Sequence, residues 1–206
     1  MTETEGVIKF KLQHEQGQLP PGFEIQDIRY WFGVCREMDL IGQHPDRYEG
    51  AAYGNISQRA QQGFLISGTQ TGGQAQLGET DIAWVTTFDV DGNALQSQGP
   101  SKPSSESLTH GQLYALADEV NFIIHIHDRH IWEKAGQLGL PATSKLAEYG
   151  TPEMAREVER LMADPAVRGA GVFSMAGHED GIVIFGSTAD EAGKRTLELY
   201  RRVQAL

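Results

Sequence analysis

The sequence contains a single cysteine, Cys35, so the chain cannot form an internal disulfide, and it lacks the paired cysteines of a zinc ribbon. No run reaches the roughly 18 apolar residues that a membrane-spanning helix needs. Basic residues are also few, since 17 Lys and Arg stand against 28 Asp and Glu, for a formal net charge of −11. This balance argues against general binding to nucleic acid or to an anionic membrane, which requires a basic face. The N-terminal MTETEGVIKFK lacks a signal-peptide pattern, and we expect a cytoplasmic protein.

The length and composition predict one folded unit. With 206 residues, 39% of them apolar and 22% charged, the chain is long enough for one substantial hydrophobic core. We predict a single domain over residues 1–206, in which residues 1–22 form an N-terminal extension. This extension contains a candidate strand at Val7–Leu12 and a polar, proline-rich connector. Apolar residues spaced by three and four predict an amphipathic helix over residues 24–41.

Strand and helix patterns mix in the rest of the chain. DIAWVTTFD predicts a strand with Ile82, Trp84 and Phe88 on one side, and Asp91-Gly92 predicts a hairpin turn after it. AGVFSMAGHEDGIVIFG predicts two more strands joined at a corner, with a helix before them and a helix after them. This mixture predicts an α/β fold, with a partly antiparallel central sheet covered by helices.

Two histidines stand in what is predicted to be the most buried strand, NFIIHIH. Because a strand alternates its faces, His125 and His127 share one face with Ile123, and their backbones lie about 6.5–7 Å apart. Two imidazoles at this spacing can converge on one metal ion, since zinc–nitrogen bonds are about 2.0–2.1 Å long. The alternative is a pair of histidines on a solvated strand face.

Three glycine- or hydroxyl-rich stretches are candidates for an anion pocket. GNIS offers a tight turn at Gly54 and a donor and acceptor on Asn55, and ISGTQTGG could cradle an anion with backbone N–H groups. In KPSSE, Ser104 and Ser105 precede a predicted helix whose first N–H groups attract anions, and Glu106 lies in its first turn. Each stretch has a simpler interpretation, respectively an ordinary turn, a flexible surface loop and a helix cap.

The corner GHEDG, residues 177–181, could bring His178 toward the face that carries the other two histidines. The alternative is a solvent-exposed acidic turn. Three imidazoles and a glutamate form the ligand inventory of a catalytic zinc site, in which three nitrogen ligands leave one coordination position open. A Lewis-acid metal beside an anion pocket can polarise a carbonyl or stabilise an enolate.

Taken in order, GNIS, FLISGTQTGG, DVDGN, KPSSE, HIH, GTPEM, GHEDGIVIFG and TADEA resemble the class II aldolase/adducin family over about residues 24–203. The resemblance implies a three-layer α/β/α domain around a mainly antiparallel sheet, a divalent metal that is usually zinc, and often a homotetramer. By position, it implies His125 and His127 as metal ligands and Glu106 as the acid/base. The residues that it implies for the phosphate or carboxylate pocket are Gly54, Asn55, Ser67, Gly68, Ser104 and Ser105.

The sequence departs from the family pattern in three places. The family carries its third metal histidine just before a glycine, where this chain has Asp180, so we predict His178 as the third ligand and keep Asp180 as the alternative. Gln70 replaces a pocket glycine. The aldolases place a catalytic tyrosine after the His-x-His strand, whereas no tyrosine lies between Tyr114 and Tyr149 here, which leaves Tyr149 as the candidate substitute.

These residues predict a metal-dependent lyase acting on a small hydroxy or keto compound that bears a phosphate or carboxylate, through a metal-stabilised enediolate. An epimerase or decarboxylase that uses the same enolate fits the residues equally well. A non-catalytic, adducin-like scaffold is a second alternative. A cupin barrel, with Glu133 following the His-x-His strand, is a third, although the helical patterns after the strand argue against it.

Overall fold

The computed structural model describes residues 5–206. In chain order its elements are β1 (Lys11–Gln16), α1 (Gln26–Glu37), β2 (Gly42–Gln43), β3 (Ala52–Tyr53), β4 (Asn55–Arg59), β5 (Phe64–Ser67), β6 (Ile82–Asp89), β7 (Ala94–Gly99), α2 (Ser107–Leu116), β8 (Phe122–His127), α3 (Arg129–Glu133), α4 (Pro152–Met162), α5 (Pro165–Ala170), β9 (Val172–Ser174), β10 (Gly181–Gly186) and α6 (Ala189–Gln204). Two 3₁₀ turns, Tyr48–Gly50 and Glu79–Asp81, lie in the connections.

Eight of the strands form one mixed sheet, in the order β1-β7-β6-β5-β4-β8-β10-β9. Strands β1 and β7 pair in parallel, and the other neighbours in this sheet pair antiparallel. The two short strands β2 and β3 form a separate antiparallel ribbon. The sheet is therefore mainly antiparallel, as predicted.

Helices cover both faces of this sheet. One hydrophobic core lies between the sheet and α2, α4 and α5, and the other lies between the sheet and α1, α3 and α6. The predicted three-layer α/β/α arrangement is confirmed, and the cupin alternative is wrong because helices, and no run of strands, follow the His-x-His strand.

Strand β8 runs through the middle of the sheet, between β4 and β10. Phe122, Ile124 and Ile126 enter one core, whereas Ile123 enters the other. All six residues of the strand are buried, and His125 and His127 are 0% and 1% exposed. The alternation predicted for this strand is confirmed, and the alternative of a solvated histidine face is wrong.

One predicted face is wrong in β6. Ile82 and Trp84 pack into the core under α1, but Phe88 packs into the opposite core, with Val85. The register of β6 against β7 shifts between Val85 and Thr87, so one extra residue enters the strand there. Such a β-bulge moves the later side chains to the other face, which strict alternation does not anticipate.

Two boundaries also differ from the prediction. The first strand covers Lys11–Gln16 where Val7–Leu12 was expected, and it forms an edge strand beside β7. Helix α1 stops at Glu37, short of residue 41, because Asp39 has a φ of +58° and this left-handed conformation ends the helix. Cys35 is fully buried in α1, and burial raises the pKa of its thiol to about 12, as suits a packing residue.

Among residues 5–206, no helix is both long enough and apolar enough to cross a membrane.

Candidate metal centre

His125 and His127 lie at the C-terminal end of β8 and project from the same face of the sheet. Their Nε2 atoms are 3.1 Å apart. His125 Nδ1 lies 3.1 Å from the carbonyl oxygen of Ile182, to which a protonated Nδ1 donates a hydrogen bond. In this tautomer the lone pair of His125 Nε2 is directed at His127. Metal-binding histidines commonly have this arrangement, in which the other ring nitrogen donates a hydrogen bond to a backbone carbonyl.

His178 reaches this pair from the turn between β9 and β10. Strand β10 pairs antiparallel with β8, and Gly181 stands opposite His127, so the start of β10 lies at the histidine end of β8. The turn is tight, because a Cβ on Gly181 would lie 2.6 Å from the His178 ring. One nitrogen from each of the three histidines lies within 4.8 Å of the others, and all three side chains are buried.

Two carboxylates approach the same histidine. Glu106 precedes helix α2 and places Oε1 3.7 Å from His178 Nε2, and Glu5 places Oε2 3.6 Å from the same atom. Both acids are buried, at 1% and 9% exposure. Glu106 was predicted from its motif and Glu5 was not, because Glu5 stands about 100 residues before Glu106, in a segment without any recognisable pattern.

The electrostatics favour neutral imidazoles, which is the form that binds metal ions. Burial, followed by the neighbouring His178, holds the pKa of His125 well below its usual value. The same two causes, in the same order, lower the pKa of His127. Neutral His125 and His127, together with the His178 ring and a carboxylate beside it, match the donor set of a divalent ion such as Zn²⁺.

A family model, the Class II Aldolase and Adducin N-terminal domain, matches residues 43–206 of the chain. The chain belongs to the class II aldolase/adducin family. The match includes β8, the turn that carries His178 and the start of α2, and it excludes Glu5.

Solved structures of similar proteins share the fold. The fuculose-1-phosphate aldolase of Thermus thermophilus is 19% identical with a TM-score of 0.63, and the match covers 87% of this chain and 90% of that one. An L-fuculose 1-phosphate aldolase is 24% identical with a TM-score of 0.62, over 87% and 82% of the two chains. Escherichia coli YgbL, a putative aldolase/epimerase/decarboxylase, is 18% identical with a TM-score of 0.64, over 88% and 86%. At these identities the likeness concerns the fold.

The structure brings five of the six predicted pocket residues of this class II aldolase/adducin chain around one small cavity, together with Glu5 and Gly6. These five residues are Gly54, Asn55, Gly68, Ser104 and Ser105. Asn55 stands opposite His125 in the sheet, which places this cavity beside the histidines. The sixth residue, Ser67, ends β5 outside this cavity lining, and its hydroxyl accepts a hydrogen bond from the backbone N–H of Ile56 at 3.1 Å.

Asp180, the alternative third ligand, lies outside the histidine group. Its φ is +62°, and its carboxylate accepts a 2.6 Å hydrogen bond from the hydroxyl of Tyr48. Asp180, Tyr48 and His127 all line an open cleft of about 860 Å³ on this side of the molecule. The Tyr48 ring lies 5.0 Å from the His127 ring, and burial, followed by the Asp180 hydrogen bond, raises the pKa of its phenol.

Tyr149 lies close to the histidines, although it follows the His-x-His strand by more than about twenty residues. Its ring is 4.7 Å from that of His178, and it is fully buried. Its hydroxyl lies 3.1 Å from the backbone nitrogen of Val7, which donates to it. Tyr149 was the candidate substitute for the catalytic tyrosine of the aldolases, whereas no local pattern pointed to Tyr48.

Proposed function

We propose that this class II aldolase/adducin chain is a divalent-metal-dependent lyase of the aldolase type. The convergence of three buried imidazoles, two from β8 and one from the turn before β10, next to Glu106, is the observation that carries the proposal. The substrate class is a small hydroxy or keto compound with a phosphate or carboxylate. Zn²⁺ is the proposed ion, and a homotetramer and a cytoplasmic location remain parts of the same proposal.

His125, His127 and His178 would hold the ion. Three nitrogen ligands leave room for substrate oxygens, as a catalytic site requires. When bound, the ion would polarise the substrate carbonyl and stabilise the enediolate that forms as the carbon–carbon bond breaks. The backbone and hydroxyl groups around Asn55 and Ser104 would hold the anionic group of the substrate.

Glu106 is the proposed acid/base. It stands at the start of α2, where the helix dipole favours a carboxylate, and its Oε1 is 3.7 Å from His178. It would deliver a proton to the enediolate carbon after cleavage, and would remove that proton in the direction of synthesis. Its burial keeps bulk water away from the proton that it transfers.

Metal analysis tests the proposal most directly. The purified protein is stripped with EDTA, dialysed against Zn²⁺ and analysed for bound metal, and we expect about one ion per chain. His125→Ala should abolish this binding, whereas His130→Gln, which changes an exposed histidine shortly after β8, should retain it. Absence of a bound divalent ion from the wild-type protein would contradict the proposal.

A panel of sugar phosphates and hydroxy acids then separates the reactions. Release of an aldehyde indicates a lyase, inversion at one carbon indicates an epimerase, and release of CO₂ indicates a decarboxylase. The last two reactions use the same enolate chemistry and are the second candidates. Retained metal without turnover of any compound would favour the adducin-like scaffold.

A further inference from the structure

Residues 5–9, which we name the N-terminal strap, lie across the predicted anion pocket. The family model begins at residue 43, so the family pattern assigns nothing to this segment. The strap precedes β1 and runs between the histidine group and the glycine-rich loop that follows β5.

Gly6 fits closely against Gln70, the residue that replaces a pocket glycine of the family. Gly6 has a φ of +74°, and a Cβ added there would overlap the side-chain amide nitrogen of Gln70. The other end of the Gln70 amide accepts a hydrogen bond from the backbone N–H of Ala52 at 2.9 Å, which fixes the side chain in place. The departure at position 70 thus provides a contact surface for the strap.

The rest of the strap is held by Tyr149 and its neighbour. The backbone N–H of Val7 donates to the Tyr149 hydroxyl, which in turn lies 3.3 Å from the Val7 carbonyl oxygen. Lys9 Nζ lies 3.9 Å from the centre of the Tyr149 ring and 3.1 Å from a carboxylate oxygen of Glu148. The tyrosine next to His178 therefore anchors the strap.

With the strap in place, the predicted anion pocket is nearly full. The cavity between Glu5 and Gly6 on one side and Asn55, Gly68 and Ser104 on the other has a volume of about 10 Å³. This space accommodates one water molecule at most, and a phosphate group is several times larger. An anionic substrate therefore does not fit the pocket while the strap and the glycine-rich loop keep these positions.

The carboxylate of Glu5, at the start of the strap, lies close to the His178 ring. Two ligand atoms of a tetrahedral zinc site lie about 3.3 Å apart, since each bond is about 2.0–2.1 Å long. Glu5 Oε2 lies 3.6 Å from His178 Nε2, close to this spacing and to the 3.7 Å of Glu106. Glu5 thus lies beside one of the three proposed ligands, outside the residues that the family model matches, and a small movement would bring it to an ion held there.

We propose that Glu5 is a displaceable ligand of the metal centre and that the strap competes with the substrate anion for the pocket. This inference rests on the proposed function, because it requires an ion at the three histidines. It makes two predictions of opposite sign for Glu5→Gln. The metal loses a carboxylate ligand and binds more weakly, whereas an added anion no longer has a competitor and binds more tightly.

The test uses the full-length protein loaded with Co²⁺, whose visible absorption reports the coordination number, with inorganic phosphate as the probe anion. We expect Glu5→Gln to change the Co²⁺ spectrum, to weaken Co²⁺ binding about tenfold and to tighten phosphate binding about tenfold. Glu119→Gln is the matched control, since it removes one exposed carboxylate near the opposite end of β8. It should change none of the three readouts.

Gly6→Ala provides a second route, because it dislodges the strap through Gln70 and leaves the carboxylate intact. It should reproduce the Glu5→Gln changes, because an alanine at a φ of +74° is strained and would also overlap the Gln70 side chain. An unchanged spectrum in both single variants, or metal and phosphate affinities that fall together, would overturn the inference. A wild-type protein that binds no metal would instead refute the proposed function itself.

Discussion

Three buried neutral histidines, His110, His125 and His127, should make the stability of the metal-free protein unusually sensitive to mild acid. Burial holds the pKa of His110 at about 3 and keeps the pKa values of His125 and His127 well below the ordinary value. An unfolded chain returns each histidine to a pKa of about 6.5. Below that pH the unfolded state binds more protons than the folded state, so stability falls as the pH falls.

The size of the expected loss in stability follows from the pKa of each histidine in the folded and the unfolded state. Between pH 7.5 and pH 5.5, a histidine that stays neutral when folded and titrates at about 6.5 when unfolded loses about 1.4 kcal/mol of stability. Three such histidines lose about 4 kcal/mol together, a large part of the 5–15 kcal/mol that stabilises most proteins. Ordinary carboxylates titrate mainly below this range and contribute little to the change.

Urea unfolding in EDTA at the two pH values measures this loss. With a denaturant slope of about 2–3 kcal/mol per M, the midpoint should fall by about 1.5–2 M. His127→Gln should remove about one third of the acid sensitivity, because it removes one of the three buried imidazoles. A loss below about 1 kcal/mol between the two pH values would refute the argument that these imidazoles are held neutral.

Three further predictions concern single residues. Ser57→Ala should cost about 2–4 kcal/mol in thermal unfolding, because the Ser57 hydroxyl lies 2.7 Å from both a buried histidine nitrogen and a buried tyrosine hydroxyl. His178→Ala should weaken Zn²⁺ binding by more than about 100-fold, beyond the effect of an outer-shell change, whereas Asp180→Asn should retain the ion in the same dialysis assay. Gly193→Ala should lower stability by about 1–2 kcal/mol, because its Cβ would overlap the Trp31 ring; unchanged thermal unfolding would contradict this.

Local patterns predicted much of the fold and part of the candidate site. The period-two alternation in β8 placed His125 and His127 on one face, because side-chain direction along a regular strand depends on sequence position alone. The helix predicted before the last two strands is α4, and its first turn is capped by the Thr151 hydroxyl, which accepts a hydrogen bond from the backbone N–H of Met154. Such features are properties of a few consecutive residues, so they can be read without the tertiary structure.

Predictions that depend on how several segments of the chain pack together were wrong or left alternatives open. The bulge in β6 reversed the predicted face of Phe88, because the extra residue is defined only against the partner strand. The alternatives His178 and Asp180 depend on the turn, which places His178 with the other two histidines and the Asp180 carboxylate on the Tyr48 hydroxyl.

By itself, the sequence determined the alternating strand with its two histidines, the acidic charge that argues against nucleic acid, and the glycine and hydroxyl stretches of the pocket. The tertiary structure alone decided that Glu5 reaches the histidines, that Tyr48 faces His127, and that the pocket is filled. The physical reason is that these contacts join residues about 80 to 170 positions apart. Their proximity depends on the order of the strands in the sheet and on the paths of the loops. Neither can be derived from the spacing of residues within a short segment.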